Sequence, residues 1–131
     1  MMRRAPAFLL AMLALASPAA ATESMVCSAE GDAASIDVLM GNTAVIAPVR
    51  VWLYAGDKSW TTDGQPGSEK IVIGQAFQDE DQLLLDVTDE SISTVVASLR
   101  LVTTSEGDSF ASGGTLRIVG VGAWAVSCPE F

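Results

Sequence analysis

The stretch Gln78–Glu90, QDEDQLLLDVTDE, decides the fold. Its carboxylates Asp79, Glu80, Asp81, Asp86, Asp89 and Glu90 surround the run Leu83-Leu84-Leu85. Set against the calcium-loop pattern D-x-[DN]-x-[DN]-G-x5-E, it matches at Asp79, Asp81 and Glu90. It places Leu83 where a third ligand is needed and Leu84 where the turn glycine is needed. A coordinating loop would also hold three leucines in water. A strand resolves the conflict. Leu83, Leu85 and Val87 then share a buried face, and Leu84, Asp86 and Thr88 face outward. Asp79–Asp81 form the turn before that strand. Asp89 and Glu90 suit the first turn of a short helix, where carboxylates meet free backbone N–H groups. Asp86 is positioned to pair with Arg100 on an adjoining strand.

Strand patterns continue on both sides. Residues 34–40 alternate and run into Gly41-Asn42, a two-residue hairpin signal. Residues 43–56 read as a long strand, with Pro48 marking an edge or a bulge. One parity of that strand is aliphatic; the other carries Ile46, Arg50, Trp52 and Tyr54. Residues 57–69 are turn-rich. Residues 70–77 pair with 82–88. Residues 92–104 read as a strand after a helical turn near 89–95, 105–114 as a loop, and 115–128 as the closing strand. On the closing strand Gly120 and Gly122 leave a hollow beside Trp124. The expectation is all-β: a single antiparallel β-sandwich or small β-barrel of about seven strands, with at most one short helix.

The N-terminus carries Arg3 and Arg4, the apolar run AFLLAMLALA (7–16), and small residues with Ala19 and Ala21 in an A-x-A pattern. This spacing predicts a signal peptide over 1–21 and a single domain over 22–131. The chain is therefore expected to be exported, periplasmic or secreted. No later apolar run approaches the roughly 20 residues of a membrane helix. In an exported chain Cys27 and Cys128 are expected to form a disulfide that fixes the terminal strands together.

Removing Arg3 and Arg4 leaves five basic residues against sixteen acids, 5 − 16 = −11. Such a charge repels nucleic-acid backbones and anionic lipid, and favours a basic partner or simply keeps the domain soluble. The chain has no histidine. That removes the usual general base and zinc ligand, and every triad that needs imidazole. With both cysteines bonded there is no thiolate. The expectation is a non-catalytic binding protein with no cofactor and no metal, taking a basic protein partner. Candidate contact residues are Asp79, Glu80, Asp81, Asp89 and Glu90, with Trp52 and Tyr54 on the Arg-Trp-Tyr stripe. Two alternatives are an accessory envelope protein with apolar contacts and a small sugar-binding domain using Trp52, Tyr54 and Trp60.

Export, size, acidity, paired cysteines and the segment SFASGG (109–114) together resemble exported lysozyme inhibitors. These are small antiparallel β-barrels with a disulfide, in which a Ser-Gly loop enters the cleft of a basic enzyme. The resemblance implies that Ser109, Ser112 and Gly113 lie on a partner-binding loop. The tyrosine that follows the Ser-Gly pair in that family is absent here, and no lysine loop matches.

Overall fold

The computed structural model describes residues 22–129. The predicted signal segment lies outside the described residues. Alternation of the kind read in Leu83, Leu85 and Val87 recurs along the chain and makes ten strands: β1 (Glu23–Ala29), β2 (Ala34–Met40), β3 (Pro48–Ala55), β4 (Lys58–Thr61), β5 (Glu69–Lys70), β6 (Val72–Gln78), β7 (Gln82–Thr88), β8 (Val95–Glu106), β9 (Ser109–Ile118) and β10 (Gly122–Ser127). They form one sheet in the order β5-β4-β3-β2-β1-β10-β9-β8-β7-β6. Neighbours are antiparallel except β4 and β5.

β5 and β6 are one run of chain, broken at Ile71, whose N–H donates to the Thr61 carbonyl at 3.1 Å. The two edges of the sheet therefore belong to the same segment, and the sheet curls into a nearly closed barrel. Closure removes the exposed edges that an open sheet of this length would carry. It also explains the parallel pair. With β5 and β6 counted as one strand, the ten become nine. An odd ring of hairpin-connected strands must contain one parallel neighbour.

The interior is the inward parity of these strands: Ile36 and Val38, Val51 and Leu53, Leu83 and Leu85, Leu99 and Leu101, Leu116 and Ile118, all fully buried. Cys27 and Cys128 are bonded inside the barrel with their Cα atoms 4.3 Å apart. A buried disulfide of this kind suits an oxidising compartment.

The antiparallel all-β expectation holds, but with ten strands rather than about seven, and several segments differ from their sequence reading. Residues 57–69 contain β4, joined to β3 by the two-residue turn Gly56-Asp57. Gly41-Asn42 opens a longer loop over 41–47, in which Gly41 donates to the Ala47 carbonyl at 2.8 Å. The long strand begins only at Pro48, and the β2–β3 register slips between Leu39 and Met40 there. The 89–95 segment is a turn with no helix. Segment 105–114 is a hairpin rather than a loop, turning at Gly107-Asp108 between β8 and β9. The closing strand is two strands, because Gly120 adopts φ +76° and reverses the chain. That reversal breaks the parity assumed for Gly120 and Trp124. The space over Gly122 is filled by the Trp124 ring itself, whose atoms would lie 2.7 Å from a Cβ at that position.

Candidate functional site

The candidate residues separate by barrel end. Asp79, Glu80 and Asp81 form the β6–β7 turn, and Asp89 and Glu90 follow β7 at the opposite end. A seven-residue strand holds the two groups roughly 23 Å apart. They cannot act as one contact patch. The expected placement of all five at the ends of one strand, with Leu83, Leu85 and Val87 buried between, is what the fold contains, but Thr88, expected to face outward, is buried where the β7–β8 register slips after Val87.

Two of the five acids build their own turns. Asp79 Oδ1 accepts the backbone N–H groups of Asp81 and Gln82, each at 2.9 Å, and Oδ2 accepts Gln82 Nε2 at 3.2 Å. The backbone donor of Asp81 leads these bonds in holding the Asp79 carboxyl below the usual carboxylate range, against a smaller opposing effect of desolvation. Asp89 accepts from Ser93 Oγ and N, both at 2.8 Å, and from Thr94 N at 3.3 Å. The Ser93 hydroxyl leads in depressing its pKa. Carboxylates thus meet backbone N–H groups as the sequence implied, in a turn rather than a helix. Glu90 lies 3.8 Å from Lys70 in an exposed ion pair. Glu80 and Asp81 are exposed, and their backbone carbonyls are tied to β8 by Thr103, whose Oγ1 and N donate at 3.2 and 2.8 Å.

That tie sets the second feature of this end. Beyond Val102, β8 and β9 leave β7 and β10 behind and project as a two-stranded arm tipped by Gly107-Asp108. Phe110 lies on the arm's inner parity and is 55% exposed. Beneath it the barrel end opens into a concavity of about 380 Å³, whose lining includes Glu23, Met25, Met40, Val45, Ile46, Asp79, Glu80 and Phe110 and, among the described residues, no lysine or arginine. A mouth of mixed apolar and polar lining that includes carboxylates is chemically suited to a cationic group carrying an apolar side chain. The sequence reading found Asp79 and Glu80 but missed the rest of this mouth. Gly107-Asp108 between polar strand residues was the one available signal for the arm.

The Ser-Gly element sits at the base of the arm and is not a protruding loop. Gly113 is paired between Val102 and Ser127, and Ser112 is half-buried opposite Thr103. Ser109, beside the arm's tip and opposite Glu106, is exposed. The loop that the lysozyme-inhibitor resemblance implied is therefore a strand. The arm still brings Phe110 and Ser109 to the same barrel end as Asp79–Asp81.

The aromatic stripe is divided. Trp52 and Tyr54 face outward on β3, while Trp60 is buried and donates Nε1 to Glu69 Oε2 at 3.1 Å. The three cannot face one sugar. Arg50 sits 5.6 Å over the Trp52 ring and is held there by Asp63 at 2.9 Å, which occupies one face of the indole. The adjacent hollow, lined by Ser24, Asp37, Leu39, Arg50 and Trp52, is about 90 Å³. Tyr54 remains open, with Ser35 and Ser59 as cross-strand neighbours.

Among the described residues no group of three Cys, Asp or Glu side chains converges to hold a metal ion. No helix among them is long and apolar enough to cross a membrane. No protein-family model, characterised protein or solved structure matches this chain.

Proposed function

We propose that this is an exported, non-catalytic protein that binds a basic protein partner at the barrel end carrying Asp79, Glu80 and Phe110. One observation carries the reading: carboxylates and exposed apolar side chains share a concavity in which, among the described residues, there is no basic side chain. Coulomb attraction brings a cationic surface to the rim, and burial of an apolar side chain against Met40 and Phe110 retains it. Export rests on the apolar, A-x-A-terminated N-terminus, with the buried disulfide in agreement. A basic secreted enzyme such as lysozyme is the most specific partner the reading offers. Ser109 and the arm, rather than a Ser-Gly loop, would lie next to it.

Affinity capture of lysozyme by the exported protein at low and high salt tests this. Binding that weakens as salt is raised, and that is lost in Glu80→Gln/Asp81→Asn/Phe110→Ala, is the expected result. Binding indifferent to both salt and these changes would defeat it.

A second reading has its own observation. At the opposite end Ile92, Val119 and Val121 are exposed on adjacent hairpin turns, Ile92 at 66%. An accessory envelope protein would use such tips for apolar contacts, which added salt would strengthen rather than weaken.

A further inference from the structure

The outer wall over β1, β2 and β3 carries a hollow that the partner reading does not use. Ser24, Leu39 and Arg50 form one cross-strand row there, and Val26, Asp37 and Trp52 form the next. Ser24, Asp37, Leu39, Arg50 and Trp52 line a space of about 90 Å³. That is room for about three waters. The two charged groups at its border are each held in place. Ser24 Oγ donates to Asp37 Oδ1 at 2.6 Å. Arg50 Nε donates to Asp63 Oδ2 at 2.9 Å, and Asp63 does not line the hollow. The Trp52 ring, 5.6 Å from the Arg50 guanidinium carbon, holds its other side. Among the described residues Asp37 and Arg50 form no ion pair with each other. One carboxylate and one guanidinium thus face a common space, with hydrogen-bonding capacity left on both.

We propose that this hollow binds the head of a small free α-amino acid, with its ammonium on Asp37 and its carboxylate on Arg50. Three features select that class. Opposite charges on the two sides call for a ligand that carries both, since either charge alone leaves one side chain unanswered. Asp37 and Arg50 are diagonal neighbours across β2 and β3, a span of roughly 7–8 Å at the backbone. Two charge-assisted hydrogen bonds of about 2.8 Å take up most of such a span. What remains suits a head group whose two charges sit on neighbouring carbons. The volume admits that head and little more, which favours glycine or alanine over a larger amino acid and excludes a sugar ring. Leu39, between Ser24 and Arg50, supplies the apolar contact for the α-carbon. The site is independent of the acidic mouth and of its basic partner.

The test titrates the exported protein with glycine and follows the backbone amide and indole N–H resonances. Glycine is expected to give saturable shifts at Ser24, Asp37, Leu39 and Arg50 and at the Trp52 indole. N-acetylglycine lacks the ammonium and glycinamide lacks the carboxylate. Each is expected to bind about tenfold more weakly or worse, as one charge-assisted hydrogen bond is lost. Asp37→Asn keeps an acceptor for Ser24 and removes the charge, and it should weaken glycine by a similar factor. The ligand analogues make the same comparison on the unaltered protein, so the test does not depend on how a variant folds. Glycinamide binding as tightly as glycine would make the hollow a cation site, and N-acetylglycine doing so would make it an anion site. Either result overturns the assignment. So would glucose shifting these resonances where glycine does not, or the absence of any saturable shift with glycine.

Discussion

Cys27 and Cys128 join the barrel at the seam where β1 and β10 share only two residue pairs. The covalent bond stands where the hydrogen-bonded ladder has two residue pairs, as few as between β4 and β5, and it closes a separation of 101 residues. Limiting the unfolded chain over so long a loop is worth about 4–5 kcal/mol in the chain-entropy account. The protein produced in an oxidising compartment should therefore show no free thiol on alkylation and mass analysis. Cys27→Ala/Cys128→Ala should lose most of that stability in denaturant unfolding. Two alkylated thiols in the native oxidised protein would contradict the bond.

Leu85 and Glu80 should respond oppositely to substitution. Leu85 is 1% exposed in the centre of the core. Leu85→Ala should cost about 2–5 kcal/mol in urea or thermal unfolding. Glu80→Gln/Asp81→Asn should leave stability unchanged within error, because both side chains lie in solvent. Asp79→Ala should be measurably less stable than that pair, since it removes the acceptor for two backbone N–H groups of the hairpin.

Asp79, Asp86 and Asp89 all have pKa values lowered in the fold from 3.8. For Asp86, burial pushes upward but is outweighed by hydrogen bonds from Arg100 and Ser98 and by the charges of Arg100 and Arg117. A depressed folded pKa means that the unfolded chain binds protons first as pH falls. The stability these carboxylates contribute is complete well above pH 3.8 and declines as pH drops below it, through the folded values. Asp79→Asn and Asp89→Asn should each be less stable than the parent at pH 7. That difference should shrink in acid. A difference that stays constant to pH 2 would show that these carboxylates contribute nothing through their charge.

Asp86 and Arg100 pair at 2.9 Å across β7 and β8, as their alternation implied, with the guanidinium side chain 43% exposed. Solvent screens such a pair. A double-mutant cycle with Asp86→Asn and Arg100→Gln should give a coupling of about 1 kcal/mol or less, and raised salt should reduce it.

Gly114→Ala should destabilise by about 1–3 kcal/mol, since a Cβ at that position runs into the Arg100 carbonyl on β8 and the two strands must part. Chemical denaturation would measure it. An unchanged midpoint would mean that β9 shifts freely at this point.

What the sequence determined by itself was whatever alternation and local chemistry decide. The period of two across Leu83, Leu85 and Val87 placed β7, its buried face and its exposed acidic ends, because any one-residue slip would turn the stripe into water. Alternating residues placed the Asp86–Arg100 pair, and the near-terminal cysteines implied the disulfide. Boundaries failed where one residue carries the turn. Gly120 cuts a pattern that looked continuous, and Gly107-Asp108 joins two strands whose polar residues looked like a loop. The mouth between Glu23, Met40, Asp79 and Phe110 was settled only by tertiary structure. Those four lie on different strands and turns, and closure of the sheet through Ile71 and Thr61 brings their ends together.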